Sequence, residues 1–151
     1  MLQKILAPLD GSKLAELALP YAEALAQKFD AELILVLVLQ TPAPPIVVEP
    51  YMGSPFYGHD ETIMAEERKE AQDYLGNLQD NLRKQNISTR IEVLEEVSVA
   101  DGIVGIASQE EIDVIVKTTH GRSGPSRWVY GSVATKVLQH APCPVFLVRV
   151  K

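Results

Sequence analysis

Two short segments carry residue types suited to binding an anion and a sugar. The first is 8–12 (Pro-Leu-Asp-Gly-Ser), and the second is 118–124, which a nine-residue spacer after Gly121 separates from Gly131-Ser132. Glycine allows backbone N–H groups to approach phosphate oxygens, and a helix N-terminus directs about half a positive charge at an anion. Residues 118–132 are therefore predicted to form a nucleotide-phosphate loop between a buried strand and a helix.

Individual side chains fit this chemistry but also have structural interpretations. Ser132 offers a hydroxyl donor, Arg122 a positive charge, and Asp10 a carboxylate that can accept from ribose hydroxyls. Taken alone, Asp10 is more often a helix cap, Gly131-Ser132 an ordinary helix start and Arg122 a solvated cation. Their combination favours a binding site.

Motifs of the common catalytic and metal sites do not occur. The sequence has no G-x-x-x-x-G-K-[ST], G-x-G-x-x-G, H-E-x-x-H or G-x-S-x-G pattern. The three histidines share no spacing, and Cys143 lies between two prolines as a packing residue. No catalytic residue and no metal ligand is predicted, and a slow ATPase ranks last because no general base is visible.

The elements that position these segments follow from hydrophobic periodicity. Neither helical nor strand periodicity of hydrophobic residues is seen at about 40–60, where a proline- and glycine-rich connection is predicted. Strands are predicted at 4–9, 33–39, 87–94, 114–117 and 145–150, and helices from Ser12 to about residue 29, with a bend at Pro20, and at 60–86, 99–109 and 132–140. Five strands alternating with four helices indicate an α/β domain over 1–151 with an open, mostly parallel sheet.

Composition limits the class of protein. The 151 residues are 46% hydrophobic and 23% charged, as in an ordinary globular domain. The net charge of −6 offers no basic surface for nucleic acid or an anionic membrane, and no apolar run approaches 18 residues. The N-terminus has no signal-peptide core, so a cytoplasmic protein is expected.

The chain resembles the universal stress protein family over nearly its full length. The resemblance is carried by residues 5–12, 31–33, 119–124 and 131–145, including the nine-residue spacer before Gly131. It implies a five-stranded Rossmann-like sheet in the order 3-2-1-4-5 with helices on both faces. It also implies homodimers formed through the last strand, 145–150, and ATP binding in one branch of the family.

Transferred by position, the family's site includes Asp10 at the ribose, Leu9 and Val38 at the adenine, and a set of phosphate-lining residues: Gly121, Arg122, Gly131, Ser132 and Val133. Pro8, Lys117 and Thr118 complete the predicted site. The expected ligand is ATP or another adenine nucleotide, with Mg²⁺ as an optional companion.

The sequence departs from the nucleotide-binding pattern G-x-x-G-x9-G-[ST] at Thr118, which replaces the first glycine. Outside this pattern, Lys117 stands where family members usually carry an apolar residue, and Val97 replaces a glycine common after the third strand. If the backbone at Thr118 requires positive φ or close ligand approach, threonine costs roughly 1–3 kcal/mol. Two functions are therefore expected: a homodimeric stress-response module that binds an adenine nucleotide, or a nucleotide-independent interaction protein in which the loop is structural.

Overall fold

A computed structural model describes residues 1–43, 61–121 and 130–151. Five strands and five helices alternate within these ranges. In chain order they are β1 (Lys4–Leu9), α1 (Lys13–Glu16), α2 (Leu19–Phe29), β2 (Glu32–Gln40), α3 (Glu61–Lys84), β3 (Thr89–Glu96), α4 (Val99–Gln109), β4 (Val114–Thr118), α5 (Ser132–His140) and β5 (Val145–Val148).

The five strands form one parallel sheet in the order β3-β2-β1-β4-β5, which confirms the predicted topology. The chain adds strands outward from β1 in one direction and then returns to add β4 and β5 on the other side. Ligands of open α/β sheets bind at such a reversal, outside the carboxyl ends of the strands. Here the reversal lies between β1 and β4.

Each face of the sheet has its own apolar core, as expected of strands covered on both sides. Residues of α1, α2 and α3, such as Ala22 and Leu75, pack on one face against Ile5 and Leu35. Helices α4 and α5 cover the other face. The sheet is thus fixed from both sides, and its carboxyl edge is a rigid frame for a site.

The first helix differs from the prediction. It is two helices, separated at Leu17 and Ala18, instead of one helix bent at Pro20. Pro20 lies in the first turn of α2, where a missing N–H breaks no helical hydrogen bond. The prediction that Ser12 is the N-cap is confirmed, since its Oγ accepts from the backbone N–H of Ala15 at 3.2 Å.

Several other element bounds shift by a few residues. The third strand begins at Thr89 instead of residue 87, the fourth extends to Thr118, and the last ends at Val148 instead of residue 150. Gln40 belongs to β2, and most of the proline-rich connection, 44–60, lies outside the described residues, as does the predicted cap Asp60. No helix within the described ranges is long and apolar enough to cross a bilayer.

Candidate functional site

A crevice opens where β1 and β4 separate. The two strands pair at Ile5 with Val114 and at Leu6 with Ile115, and the described residues show no further pair toward the carboxyl ends. Pro8, in the second half of β1, has no N–H to donate to a neighbouring strand. The resulting crevice has a volume of about 780 Å³, within the range of small-molecule sites.

The turn after β1 holds the carboxylate of Asp10 in a fixed position. Gly11 has φ 84°, a conformation that favours glycine, and Oδ1 of Asp10 accepts from the backbone N–H of Ser12 at 2.9 Å. Ser12 then caps α1. The prediction that Asp10 marks a helix start and the prediction that it faces a ligand site are compatible, because Asp10 also lines the crevice.

Gly121 lies directly against this carboxylate. A β-carbon added at Gly121 would collide with Oδ2 of Asp10. The loop after β4 and the turn after β1 therefore meet across the crevice. Glycine is favoured at this point by space rather than by φ, because any side chain would displace the carboxylate and Gly121 is not among the residues with positive φ.

Helix α5 begins at the crevice. Its N-cap, Gly131, has no side chain to cap the first-turn N–H groups, which have no partners within a helix. The N–H of Gly131 itself donates to the carbonyl of Thr119 at 2.9 Å. Gly131, Ser132 and Val133 line the crevice, so the positive end of α5 faces its interior.

The end of β4 is a run of four buried polar residues, Lys117, Thr118, Thr119 and His120. The hydroxyl of Thr118 donates to the carbonyl of His120 at 2.7 Å, and Oγ1 of Thr119 lies 2.9 Å from Nδ1 of His120. Thr119 also accepts from the N–H of Val150 at 3.2 Å. This network shapes the loop and ties it to the segment after β5.

Thr118, the departure from the family pattern, is accommodated without strain. Its φ is not positive, and its side chain is 3% exposed with the hydroxyl bonded inside the loop. The condition under which threonine would cost backbone strain is therefore not met. Thr118 is one of the residues that line the crevice.

Lys117 is the lining residue that brings an amine to the crevice. The residue is 8% exposed, and its Nζ donates to the carbonyl of Thr118 at 2.7 Å. Burial lowers the pKa of Lys117 to about 8, and the negative charge of Asp10 opposes part of this effect.

Helix α3 forms a wall of the crevice that the sequence interpretation did not include. Glu67, Glu70, Ala71 and Tyr74 line it. The hydroxyl of Tyr74 donates to Oε1 of Glu16 at 2.8 Å, and burial, followed by this bond, raises the pKa of the phenol. The 3-1-3 spacing of these residues places them on one helical face, and that signal was available in the sequence.

The structure gathers ten of the eleven predicted site residues around one crevice: Pro8, Leu9, Asp10, Val38, Lys117, Thr118, Gly121, Gly131, Ser132 and Val133. Arg122 lies outside the described residues. Thr119 and His120 were missed, although they stand between predicted residues. Ligand contacts of all these positions remain predictions.

The family model of the universal stress proteins matches residues 1–149. The chain belongs to the universal stress protein family. It is 33% identical over 147 residues to a universal stress protein of Methanocaldococcus jannaschii, covering 97% of this chain and 82% of the relative. A universal stress protein of Methanothermobacter thermautotrophicus is 32% identical over 152 residues, with coverage of 99% and 97%.

Solved structures of the family share the fold. Universal stress protein UspA from Lactobacillus plantarum has a TM-score of 0.76 at 26% identity and covers 97% of both chains. A family member from Archaeoglobus fulgidus in complex with dAMP has a TM-score of 0.64 at 22% identity, with 97% coverage of both chains. A universal stress protein in complex with cAMP has a TM-score of 0.61 at 20% identity, with coverage of 99% of this chain and 98% of that protein's chain.

Proposed function

We propose that this chain is a cytoplasmic, homodimeric binding module of the stress response that holds ATP or a related adenine nucleotide and changes its partner affinity with occupancy. The meeting of Gly121, Asp10 and the α5 N-terminus around one crevice is the observation that carries the proposal. A carboxylate that accepts from ribose and a helix end that attracts phosphate are the two complementary parts of a nucleotide site.

Solved relatives support the choice of ligand. One family member is bound to cAMP and another to dAMP, and both ligands combine adenine, a sugar and one phosphate. The crevice offers apolar side chains, among them Val38 and Ile103, on which a flat base can pack. ATP also combines adenine with a sugar but carries three phosphates, and Mg²⁺ is expected to bind with it near Asp10.

The first test is chromatography of an acid extract of the purified protein, followed by calorimetry with AMP and ATP. Bound adenine nucleotide, or binding heat at millimolar ligand, is expected. If the extract contains no adenine nucleotide and calorimetry shows no binding heat, the proposal is wrong.

Gly131→Val tests whether the α5 N-terminus is the phosphate contact. A β-carbon at Gly131 would lie 3.2 Å from the carbonyl oxygen of Thr119, so valine crowds the residues that line the crevice. We expect at least a tenfold loss of affinity. Gly76→Val in α3 is the matched control, since a β-carbon there meets nothing within 4 Å.

The dimer is proposed through β5, the edge strand next to β4. Phe146 is 42% exposed, and its ring lies 5.6 Å from the ring of Tyr21, which is 49% exposed. An exposed apolar edge invites pairing with a second copy. Sedimentation should show a dimer, and Phe146→Lys should shift it toward monomer; a monomeric wild-type protein contradicts the assembly without affecting the nucleotide proposal.

The alternative function is a nucleotide-independent interaction protein. It is favoured by the hydrogen bond from Thr118 to His120, because this bond holds the loop without a ligand. Partner capture that is unchanged by added AMP or ATP would select this alternative.

Neither proposal assigns enzymatic activity, so both expect no phosphate release from ATP above background. Steady release that Gly131→Val abolishes would contradict this expectation.

A further inference from the structure

Lys117 is a buried cation whose donors are only partly used. A lysine ammonium has three N–H donors. Within the described parts of the chain, Nζ makes one hydrogen bond, to the carbonyl of Thr118. The residue is 8% exposed and lines the crevice, so a ligand bound there can reach the remaining donors. A buried charge of this kind requires an opposite charge or further acceptors; the negative charge of Asp10 meets part of this requirement, and a bound anion would meet more of it.

The groups that share the crevice with Lys117 are mostly acidic. Asp10 follows β1, Glu67 and Glu70 stand on α3 with Tyr74, and His120 follows β4. The lining residues of α4 and α5 carry no charge. Lys117 is the one lysine or arginine among the described lining residues, so these carboxylates oppose an anionic ligand and Lys117 attracts one.

We propose that Lys117 is the residue by which the crevice selects ligands carrying an anionic group, with its ammonium as the charged hydrogen-bond donor. The inference rests on the proposed nucleotide function, in which a phosphate supplies that group. Charge-assisted hydrogen bonds are roughly twice as strong as neutral ones, and a buried position protects this charge from screening by salt.

This role makes affinity depend on pH. Only the protonated amine attracts the anion, and the pKa of Lys117 in the free protein is about 8. Between pH 7.5 and 9.5 the protonated fraction falls steeply, so the apparent affinity for an anionic ligand should fall about fivefold. The phosphate of AMP does not change its charge in this window, because its second pKa lies near 6.

The experiment compares AMP with adenosine, which lacks the phosphate, by calorimetry at pH 7.5 and pH 9.5. The wild-type protein is expected to bind AMP about fivefold more tightly at pH 7.5 than at pH 9.5. Adenosine affinity is expected to stay within about twofold. The difference between the two probes isolates the anion from the base and ribose.

Lys117→Met supplies the second comparison, because methionine keeps most of the apolar length without the charge. It should weaken AMP at pH 7.5 about tenfold, remove the pH dependence, and leave adenosine binding in place. Lys28→Met, at the exposed end of α2 and outside the crevice lining, makes the same change of net charge and should behave like wild type.

The outcomes separate the two proposals. Failure of the wild-type protein to bind either probe overturns the nucleotide function and, with it, the role of Lys117. AMP binding with no pH dependence, or AMP binding by Lys117→Met equal to that of wild type, overturns only the role of Lys117. Retained adenosine binding by Lys117→Met shows that the variant is folded.

Discussion

The carboxyl ends of β1 and β4 border the same crevice but are built in different ways. After β1, the backbone determines the shape: Gly11 adopts φ 84°, Asp10 accepts from the N–H of Ser12, and Ser12 starts α1. After β4, buried side chains determine it, from Lys117 to His120. The first turn is set by local conformational preference, and the second by polar groups that must find partners away from water.

This contrast shows where the site tolerates change. A turn set by glycine geometry needs particular residues but buries little charge. A buried polar run can vary in composition as long as its hydrogen bonds are made, and two of the departures from the family's residues, Lys117 and Thr118, lie in that run. Substitutions on the two sides should therefore differ in sign, size and dependence on pH.

Lys117→Met should have the largest effect on stability, and the effect is stabilising. Burial lowers the pKa of Lys117 from 10.5 to about 8, which corresponds to a cost of up to about 3 kcal/mol for the buried charge. The unfolded lysine still binds its proton between pH 8 and 10.5, so wild-type stability rises through that window. The gain in the free energy of unfolding should be full at pH 7 and absent above pH 10.5.

Urea titrations of wild type and variant at pH 7 and at a pH just above 10.5 provide the measurement. An equal gain at both pH values would mean that improved packing, and not the lost charge, stabilises the variant.

Thr118→Gly should destabilise the protein by about 1–2 kcal/mol. It removes the hydrogen bond to the carbonyl of His120 and adds backbone freedom to the unfolded chain. Restoring the family glycine should therefore not raise nucleotide affinity much, since φ at Thr118 is unstrained. Thermal unfolding and AMP calorimetry test both parts, with Thr118→Ser as the control that keeps the hydroxyl. A large gain in AMP affinity would show that the threonine side chain obstructs the ligand.

Gly11→Ala should have the smallest of these effects, a loss of about 1 kcal/mol, because φ 84° is unfavourable for a residue with a β-carbon. The loss should not vary between pH 7 and 10.5, since no charge is involved. Gly76→Ala in the middle of α3 should be stabilising by a similar amount. Denaturant midpoints of the two variants are compared directly, and a destabilised Gly76→Ala would show that space rather than conformation governs these glycines.

Local signals in the sequence determined most of the fold. The uninterrupted apolar composition of β2 predicts a strand covered on both faces. The face of α3 that packs on the core is predicted by a stripe of four residues, of which Leu78 is only partly buried: Ala71, Leu75, Leu78 and Leu82. The role of Ser12 as a helix N-cap could also be predicted, because the preference of serine for the N-cap position depends on its immediate neighbours. The predicted site residues came from the same kind of signal, combined with the family resemblance.

Tertiary structure alone decided the features that depend on distant neighbours. The contact between Gly121 and Asp10 joins residues more than one hundred positions apart, and the crevice exists because β1 and β4 stop pairing after Leu6 and Ile115. The burial of Lys117, and hence its lowered pKa, arises only in the folded protein. Sequence periodicity specifies which face of an element is apolar, but packing specifies what that face meets and how far water is excluded.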